Sequence, residues 1–337
     1  MESHLIEAGY VTPFVRSWLA RRPAVRVLHV FDHACNLINE RSEIVSLVTA
    51  ELGPGPFAVV LAPAPAVFFS QLVTMATPVA VDGHLIKLGG LVVDTAPAVD
   101  WPSRPAWEQW RRASALVFFS SISTRLRQGG QPANSEITVA YRRHFTAGRE
   151  RLLSGLAIGD ADACREGAQK LAGLGPGLTP AGDDFLMGAT YGLWATQPAE
   201  AAQFWGQVIA ETAAPRTTLL SAAWLRAAAR GEAAEAWHEL VRGGGEWRVG
   251  PSKTQDGQWA VGSKQWAVGS GQWAVNSGEW AVGSGECESQ EMVAAVKRIL
   301  NTGHSSGADA LAGFTAVLEA HMKARPRVGE PLRGDGE

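Results

Sequence analysis

The sequence contains few of the residues that mark disulfide-stapled or zinc-binding proteins. Only three cysteines occur in 337 residues, Cys35, Cys164 and Cys287. They form no CxxC pair, and an odd number of widely spaced cysteines argues against a disulfide framework or a Cys/His zinc site. A reducing compartment is therefore expected.

Long apolar segments and clusters of one charge are also lacking. The longest apolar run, 57–69, contains Pro63 and Pro65 and is shorter than the ~20 residues that a membrane-spanning helix needs. No basic segment followed by an apolar stretch opens the chain, so we expect no signal peptide. With a net charge of −3 and no basic cluster, we expect a soluble, cytoplasmic protein with neither nucleic acid nor membrane as a partner.

Short strands are predicted in the first hundred residues. The runs 25–31, 57–61 and 91–94 are rich in β-branched residues. Asp82-Gly83 lies between two apolar runs and favours a tight hairpin turn. This spacing of short strands predicts a small sheet or barrel.

Helical periodicity dominates the chain from Pro105 onward. A first helix is expected after Pro105, and the later ones at about 138–156, 160–171, 180–196, 199–213, 217–230, 232–242, 288–301 and 306–323. The predicted fold class is α+β. Its parts are a β-rich domain (1–100), a connecting helix and loop (101–137), a helical domain (138–324) and a disordered tail (325–337).

A tryptophan repeat interrupts the helical pattern at 246–286. Trp259, Trp266, Trp273 and Trp280 recur every seven residues within near-copies of Gln-Trp-Ala-Val-Gly-Ser-Gly. A coiled coil is excluded because glycine at this density destabilises a helix by ~1 kcal/mol each. We interpret the segment as a low-complexity insertion on the surface; a stack of Trp-bearing turns that binds a partner is the alternative.

The segment 173–184, Gly-Leu-Gly-Pro-Gly-Leu-Thr-Pro-Ala-Gly-Asp-Asp, is the most informative part of the chain. The alternating Gly173, Gly175 and Gly177 allow positive φ angles and a close approach of the backbone to a ligand. We expect Thr179 to cap the next helix and Pro180 to be its first residue. A glycine-rich loop that leads into a helix N-terminus is suited to binding an anion.

Two carboxylates, Asp183 and Asp184, follow this predicted anion site. A divalent cation such as Mg²⁺, bridging an aspartate and a phosphate-like substrate, would reconcile the carboxylates with an anionic ligand. The alternative is a tight interhelical turn in which the aspartates interact with the helix dipole.

A second segment, 303–309, can be laid over 177–183. In this overlay glycine meets glycine, Thr179 meets Ser305 and Asp183 meets Asp309. If the two helix starts converge, their N–H groups and carboxylates would line one pocket. His304 would stand at its edge, as an acid/base group or as a surface loop histidine.

A third helix start, at 216–221, offers a guanidinium and several hydroxyls. Arg216 suits a carboxylate or phosphate, and the alternative is an ordinary helix cap after Pro215. The candidate catalytic residues are then Asp183, Asp309 and His304. The candidate anion-binding residues are Gly173, Gly175, Gly177, Thr179, Arg216, Thr217, Ser305 and Ser306. The candidate metal ligands are Asp183, Asp184 and Asp309.

These segments resemble a bacterial family, the AllH-like family, long catalogued as a domain of unknown function. Four stretches carry the resemblance: 28–37, 173–188, 217–221 and 303–313. It extends over about 20–323, and the tryptophan repeat departs from it.

The resemblance implies one subunit of an oxamate carbamoyltransferase that works in purine-derived allantoin breakdown with two other kinds of subunit. That enzyme interconverts oxalurate plus phosphate with oxamate plus carbamoyl phosphate, so the implied partners are these other subunits and a small anionic substrate. A stand-alone Mg²⁺-dependent hydrolase or phosphotransferase and a non-catalytic scaffold subunit are the alternatives.

Overall fold

The structure is a computed structural model, and it describes residues 4–62, 68–112, 136–245, 290–303 and 305–324. The tryptophan repeat at 246–286, the tail from 325 and His304 lie outside the described residues.

The N-terminal region is built around one β-sheet. Within the described residues its strands are β1 (His4–Val11), β2 (Val25–Val30), β3 (Ala34–Asn39), β4 (Ile44–Val48), β5 (Ala58–Leu61), β6 (Val79–Asp82), β7 (Leu85–Leu88), β8 (Leu91–Asp94) and β9 (Val99–Asp100). The strand order is β2-β3-β4-β5-β1-β8-β7-β6, with β9 beside β1.

The sheet nearly closes into a barrel. Its two outer strands, β2 and β6, approach each other, and an antiparallel bridge between Arg26 and Pro78 links their ends. Neighbouring strands are antiparallel except for three parallel pairs, β1 with β8, β1 with β9 and β4 with β5. The prediction of an N-terminal sheet or barrel is confirmed.

The tight hairpin is present, but its turn lies one residue later than predicted. Asp82 pairs with Leu85, so the turn residues are Gly83 and His84, and Gly83 has a φ of 61°. The strands β1, β3, β4 and β9 were not predicted from the sequence. Apolar side chains in β3 and β4 are buried without a polar alternation that would show up as a period of two.

Two short helices belong to this region, α1 (Pro13–Ala20) and α2 (Phe69–Leu72). Thr12 caps α1 by accepting a hydrogen bond from the Val15 N–H at 3.3 Å. Trp18 of α1 is fully buried in the same apolar core as strand residues such as Leu37. The helix thereby packs against the sheet and fills its interior.

The rest of the described chain is helical. The helices are α3 (Trp107–Arg112), α4 (Glu136–Ile158), α5 (Ala161–Leu171), α6 (Ala181–Thr196), α7 (Ala199–Ala213), α8 (Leu219–Ala229), α9 (Glu235–Gly245), α10 (Gln290–Leu300) and α11 (Ser306–Ala324), with a 3-10 turn at Ala214–Arg216. From α4 onward the predicted helix ends lie within about three residues of the observed ones. The predicted α+β fold class is confirmed.

The helix α6 lies at the centre of the helical region and is buried along most of its length. The helix α8 connects this region to the sheet. Its Trp224 contacts Phe57 edge-on, with ring centroids 4.7 Å apart, and Leu28 and Ile44 of the sheet join the same apolar cluster. The helix α8 therefore rests directly on the N-terminal sheet.

Among the described helices, none combines the length and the apolar character that crossing a membrane would require.

Candidate functional site

The glycine-rich loop has the backbone conformation that its sequence predicts. Gly173, Gly175 and Gly177 have φ angles of 67°, 123° and 95°, values that disfavour any residue with a side chain. A Cβ atom on Gly173 would lie 2.6 Å from the Arg216 carbonyl oxygen, whereas one on Gly177 would meet nothing within 4 Å. The loop is therefore packed against the protein at its start and open at Gly177.

The helix α6 begins differently from the prediction. Pro180 occupies the N-cap position with φ −55° and ψ 144°, it provides no side-chain cap, and the helix begins at Ala181. The expectation that Thr179 caps the helix is therefore wrong. Its hydroxyl instead lies 2.8 Å from that of Ser306, so it links the start of α6 to the start of α11.

Asp183 is a structural anchor of the loop. It is 2% exposed; one carboxylate oxygen accepts a hydrogen bond from the Gly173 N–H at 2.9 Å and the other accepts one from the Thr217 hydroxyl. Burial raises its pKa, and hydrogen bonds from Thr217, Gly173 and Ser221 oppose the rise. Because both oxygens are engaged by the protein, Asp183 holds the loop on the segment that precedes α8.

The start of α8 fixes the other end of the loop. Thr218 caps the helix by accepting a hydrogen bond from the Ser221 N–H at 3.1 Å. Its hydroxyl also donates to the Leu178 carbonyl at 2.6 Å, and the Ser221 hydroxyl lies 3.3 Å from the same oxygen. These contacts explain why hydroxyl residues cluster at 217–221.

Arg216 is exposed. Its guanidinium donates to the Thr212 carbonyl at 2.7 Å and so caps the C-terminal end of α7. Its backbone carbonyl contributes to the tight packing around Gly173. Its predicted role as an anion-binding group stays a prediction.

Glycines allow α6 and α11 to pack in direct backbone contact. A Cβ on Gly188 would lie 1.7 Å from the Ala310 carbonyl oxygen, and one on Gly313 would lie 2.0 Å from the Phe185 carbonyl oxygen. The contact is reciprocal, because Phe185 and Ala310 each precede their own helix's glycine by three residues. The two helices are thus related by an approximate local two-fold symmetry.

The symmetry extends to the first turn of each helix. The second residue of α6, Gly182, packs against the Leu171 carbonyl, and the second residue of α11, Gly307, packs against the Ile299 carbonyl. The fourth residues are Asp184 and Asp309.

This register differs by one residue from the overlay made on the sequence. The overlay aligned Asp183 with Asp309, but the glycine contacts pair Asp184 with Asp309 and place Ala308 opposite Asp183. The difference arises because the helices match through Gly182 and Gly307, whereas the overlay matched Gly177 with Gly303 in loops of different lengths.

Asp184 is buried and incompletely hydrogen-bonded. It is 4% exposed, and its Oδ2 has no hydrogen-bond partner among the described residues. Burial raises its pKa to about 7; hydrogen bonds from Ser306 and Thr179 oppose this rise, while the charges of Asp309 and Asp183 add to it. A carboxyl group with such a pKa exists in both protonation states near neutral pH.

Asp309 is the half-buried member of the pair. Burial raises its pKa to about 6, and a hydrogen bond from Ser305 opposes the rise. Tyr141 of α4 lies nearby, and its own pKa is raised by burial and by the charge of Asp309. Tyr141 could not be predicted as a site residue from the sequence, since its position on a long helix carries no motif.

A metal site receives limited support from the described residues. They contain no group of three or more His, Cys, Asp or Glu side chains placed to hold a metal ion. Asp183, a predicted ligand, already has both oxygens engaged. The predicted bridging Mg²⁺ stays a prediction.

Comparison with known protein families gives two matches. The family model described as the AllH family N-terminal domain matches residues 8–100. The model described as oxamate carbamoyltransferase subunit AllH matches residues 171–249, which include the glycine loop and the start of α8. No curated protein and no solved structure matches the chain.

Proposed function

Because this chain belongs to the AllH family, we propose that it is a subunit of an oxamate carbamoyltransferase-like enzyme. The proposed reaction transfers a carbamoyl group between oxalurate and phosphate. A phosphate oxygen forms a bond to the carbamoyl carbon, the bond from that carbon to the oxamate nitrogen breaks, and the nitrogen takes up a proton. The products are carbamoyl phosphate and oxamate, and the proposed partners are the other subunits of the enzyme.

The paired starts of α6 and α11 are the single observation that carries this proposal. They bring the Thr179 and Ser306 hydroxyls to 2.8 Å from each other. The carboxyl groups of Asp184 and Asp309 are close enough for the charge of one to raise the pKa of the other. Hydrogen-bonding groups and proton-exchanging groups thus share one location.

An anionic substrate suits this location for two reasons. The positive ends of two helix dipoles meet here, and helix N-termini bind carboxylates and phosphates. Backbone N–H groups that are already oriented can also stabilise the oxyanion that develops when phosphate attacks a carbonyl carbon. The raised pKa values of Asp184 and Asp309 reduce the negative charge that the substrate would meet.

The residues divide into two proposed roles. Asp309 and Asp184 contact the substrate, together with the hydroxyls of Thr179 and Ser306. Asp183 is a positioning residue that holds the glycine loop through Gly173.

The test is the formation of carbamoyl phosphate from oxalurate and phosphate by the chain reconstituted with its partner subunits. Asp309→Asn keeps the size of the side chain but removes its charge, and should lower kcat by 100-fold or more, as expected for loss of an acid/base group. Glu166→Gln is the matched control, because Glu166 is exposed on α5 and pairs with Arg151.

Three outcomes would contradict the proposal. Wild-type turnover by the Asp309→Asn complex would show that Asp309 takes no part in the reaction. Turnover of a phosphate ester by the isolated chain with Mg²⁺ would favour a stand-alone enzyme. Absence of any substrate binding by the full complex would favour a scaffold.

A further inference from the structure

The Oδ2 atom of Asp184 lacks a hydrogen-bond donor. The atom is buried and has no partner among the described residues. Leaving a buried carboxylate oxygen without a donor costs free energy. By contrast, both oxygens of the neighbouring Asp183 are engaged by protein donors.

The described residues around Asp184 supply no hydrogen-bond donor to its Oδ2 atom. The charged groups that act on it are Asp183 of the same helix and Asp309 of α11, and both are acceptors when ionised. Hydrogen bonds from the Ser306 and Thr179 hydroxyls act on the Asp184 carboxyl group, but they leave its Oδ2 without a partner among the described residues. A donor from outside the described protein groups would complete the arrangement.

We propose that Asp184 and Asp309 form the subsite for the amide nitrogen of the substrate, each carboxyl group accepting one N–H of an –NH2 group. The ligand class is a small carboxylate that bears a primary amide, of which oxamate is the simplest example. This inference rests on the proposed function, and it assigns the end of the substrate that the pair recognises.

The symmetry of the two helix starts supports this assignment. A primary amide nitrogen presents two N–H donors in one plane, and the local two-fold axis relates two acceptors, one from α6 and one from α11. The carboxylate end of the same ligand would then point away from the acids, towards the glycine loop, where the Cβ position of Gly177 faces open space. Thr179, Ser306 and Asp309 are only half-buried, so the pair is approached from their side.

An uncharged N–H donor fits these residues better than a metal ion or a methyl group. Among the described residues, no group of three or more His, Cys, Asp or Glu side chains is placed to hold a metal ion. A methyl group would leave the carboxyl oxygens without donors. Sites built to bind an N–H group discriminate strongly against analogues that lack it.

The test compares oxamate with pyruvate, which replaces the –NH2 group by –CH3 and keeps the rest of the molecule. Binding of each to the full-length chain, alone and with its partner subunits, is measured by isothermal titration calorimetry at pH 8 in the presence of EDTA. The wild-type Kd for pyruvate should exceed that for oxamate by about 100-fold or more.

Two variants test whether the carboxyl groups of Asp184 and Asp309 cause the preference for oxamate over pyruvate. Asp184→Asn and Asp309→Asn should each reduce the pyruvate-to-oxamate ratio of Kd values to about 10 or less, because each removes one acceptor oxygen. Glu166→Gln should keep the wild-type ratio. Circular dichroism checks folding, and Asp309→Asn, at a half-buried position, provides a second variant if Asp184→Asn does not fold.

The outcomes separate this inference from the proposed function. Equal binding of oxamate and pyruvate by the wild type would overturn the nitrogen subsite and leave the proposed function standing. Oxamate binding that requires Mg²⁺ would also overturn it, in favour of a metal bridge. Failure of the wild type to bind either oxamate or carbamoyl phosphate would overturn both.

Discussion

The starts of α6 and α11 share one framework but differ in what precedes it. Each helix has a glycine as its second residue, an aspartate as its fourth and another glycine six residues after the first. Before α6 lies the loop with left-handed Gly173, Gly175 and Gly177, whereas before α11 the described glycine of that kind is Gly303.

The difference separates two kinds of aspartate. Asp184 and Asp309 occupy equivalent positions, and the Oδ2 atom of Asp184 has no hydrogen-bond partner among the described residues. Asp183 has Ala308 as its counterpart. Its two carboxylate oxygens accept hydrogen bonds from the Gly173 N–H of the glycine loop and from the Thr217 hydroxyl. The shared residues thus belong to the helix pairing and to the proposed site, while the unshared aspartate anchors the longer loop.

The largest expected effect comes from breaking the symmetric helix contact. In Gly188→Ala the new methyl group would lie 1.7 Å from the Ala310 carbonyl oxygen, so the helices must separate. The free energy of unfolding should fall by about 3 kcal/mol or more, measured by urea denaturation. Gly9→Ala, where the nearest atom is 3.7 Å away, is the control; equal losses in both variants would contradict the close backbone contact.

Removal of Asp183, the aspartate without a counterpart in α11, should have the next largest effect on the free energy of unfolding. Asp183→Ala deletes two hydrogen bonds to a buried carboxylate and should lower the free energy of unfolding by about 2–3 kcal/mol. Asp184→Asn should change it by less than about 1 kcal/mol at pH 7, because Oδ2 has no partner to lose. Similar losses in the two variants would remove the distinction between anchor and site residue.

The pH dependence of stability sharpens the same distinction. The pKa of Asp184 is raised from an ordinary 3.8 to about 7 in the folded protein, so folding favours its protonated form. Its stabilising contribution is full below about pH 4 and is lost as the pH rises through about 7. Between pH 5 and 8 the wild type should lose about 2 kcal/mol relative to Asp184→Asn. Parallel pH profiles of unfolding would contradict the raised pKa.

The smallest expected effect comes from Thr218, which connects the start of α8 to the end of the glycine loop at Leu178. Thr218→Ala removes a helix cap and the hydrogen bond to the Leu178 carbonyl, and should cost about 1 kcal/mol in thermal or urea unfolding. Thr218→Ser keeps the oxygen and should stay within about 0.5 kcal/mol of the wild type. A Ser variant as unstable as the Ala variant would show that the methyl group, and not the hydrogen bonds, matters.

Local features of the site could be predicted from the sequence, whereas the contacts between distant segments could not. The positive φ angles at Gly173, Gly175 and Gly177 agree with the conformational freedom predicted for these glycines from the sequence. The Thr179 hydroxyl joins that of Ser306, 127 residues further along the chain. No local pattern encodes such a contact, so the sequence favoured the nearer role of a helix cap.

The choice between neighbouring aspartates shows the same limit. Matching letters across two loops of different lengths aligned Asp183 with Asp309, and only the backbone contacts at Gly188 and Gly313 correct the register by one residue. Tyr141 likewise joins the site through the packing of α4, with no motif to mark it.

The sequence by itself determined the helix positions, the division into a β-rich and a helical part, and the glycine loop, because periodicity and glycine content act over a few residues. The tertiary structure decided the near closure of the sheet, the pairing of Asp184 with Asp309 and the anchoring role of Asp183. These depend on which surfaces meet when distant segments pack and on whether a buried oxygen finds a donor there.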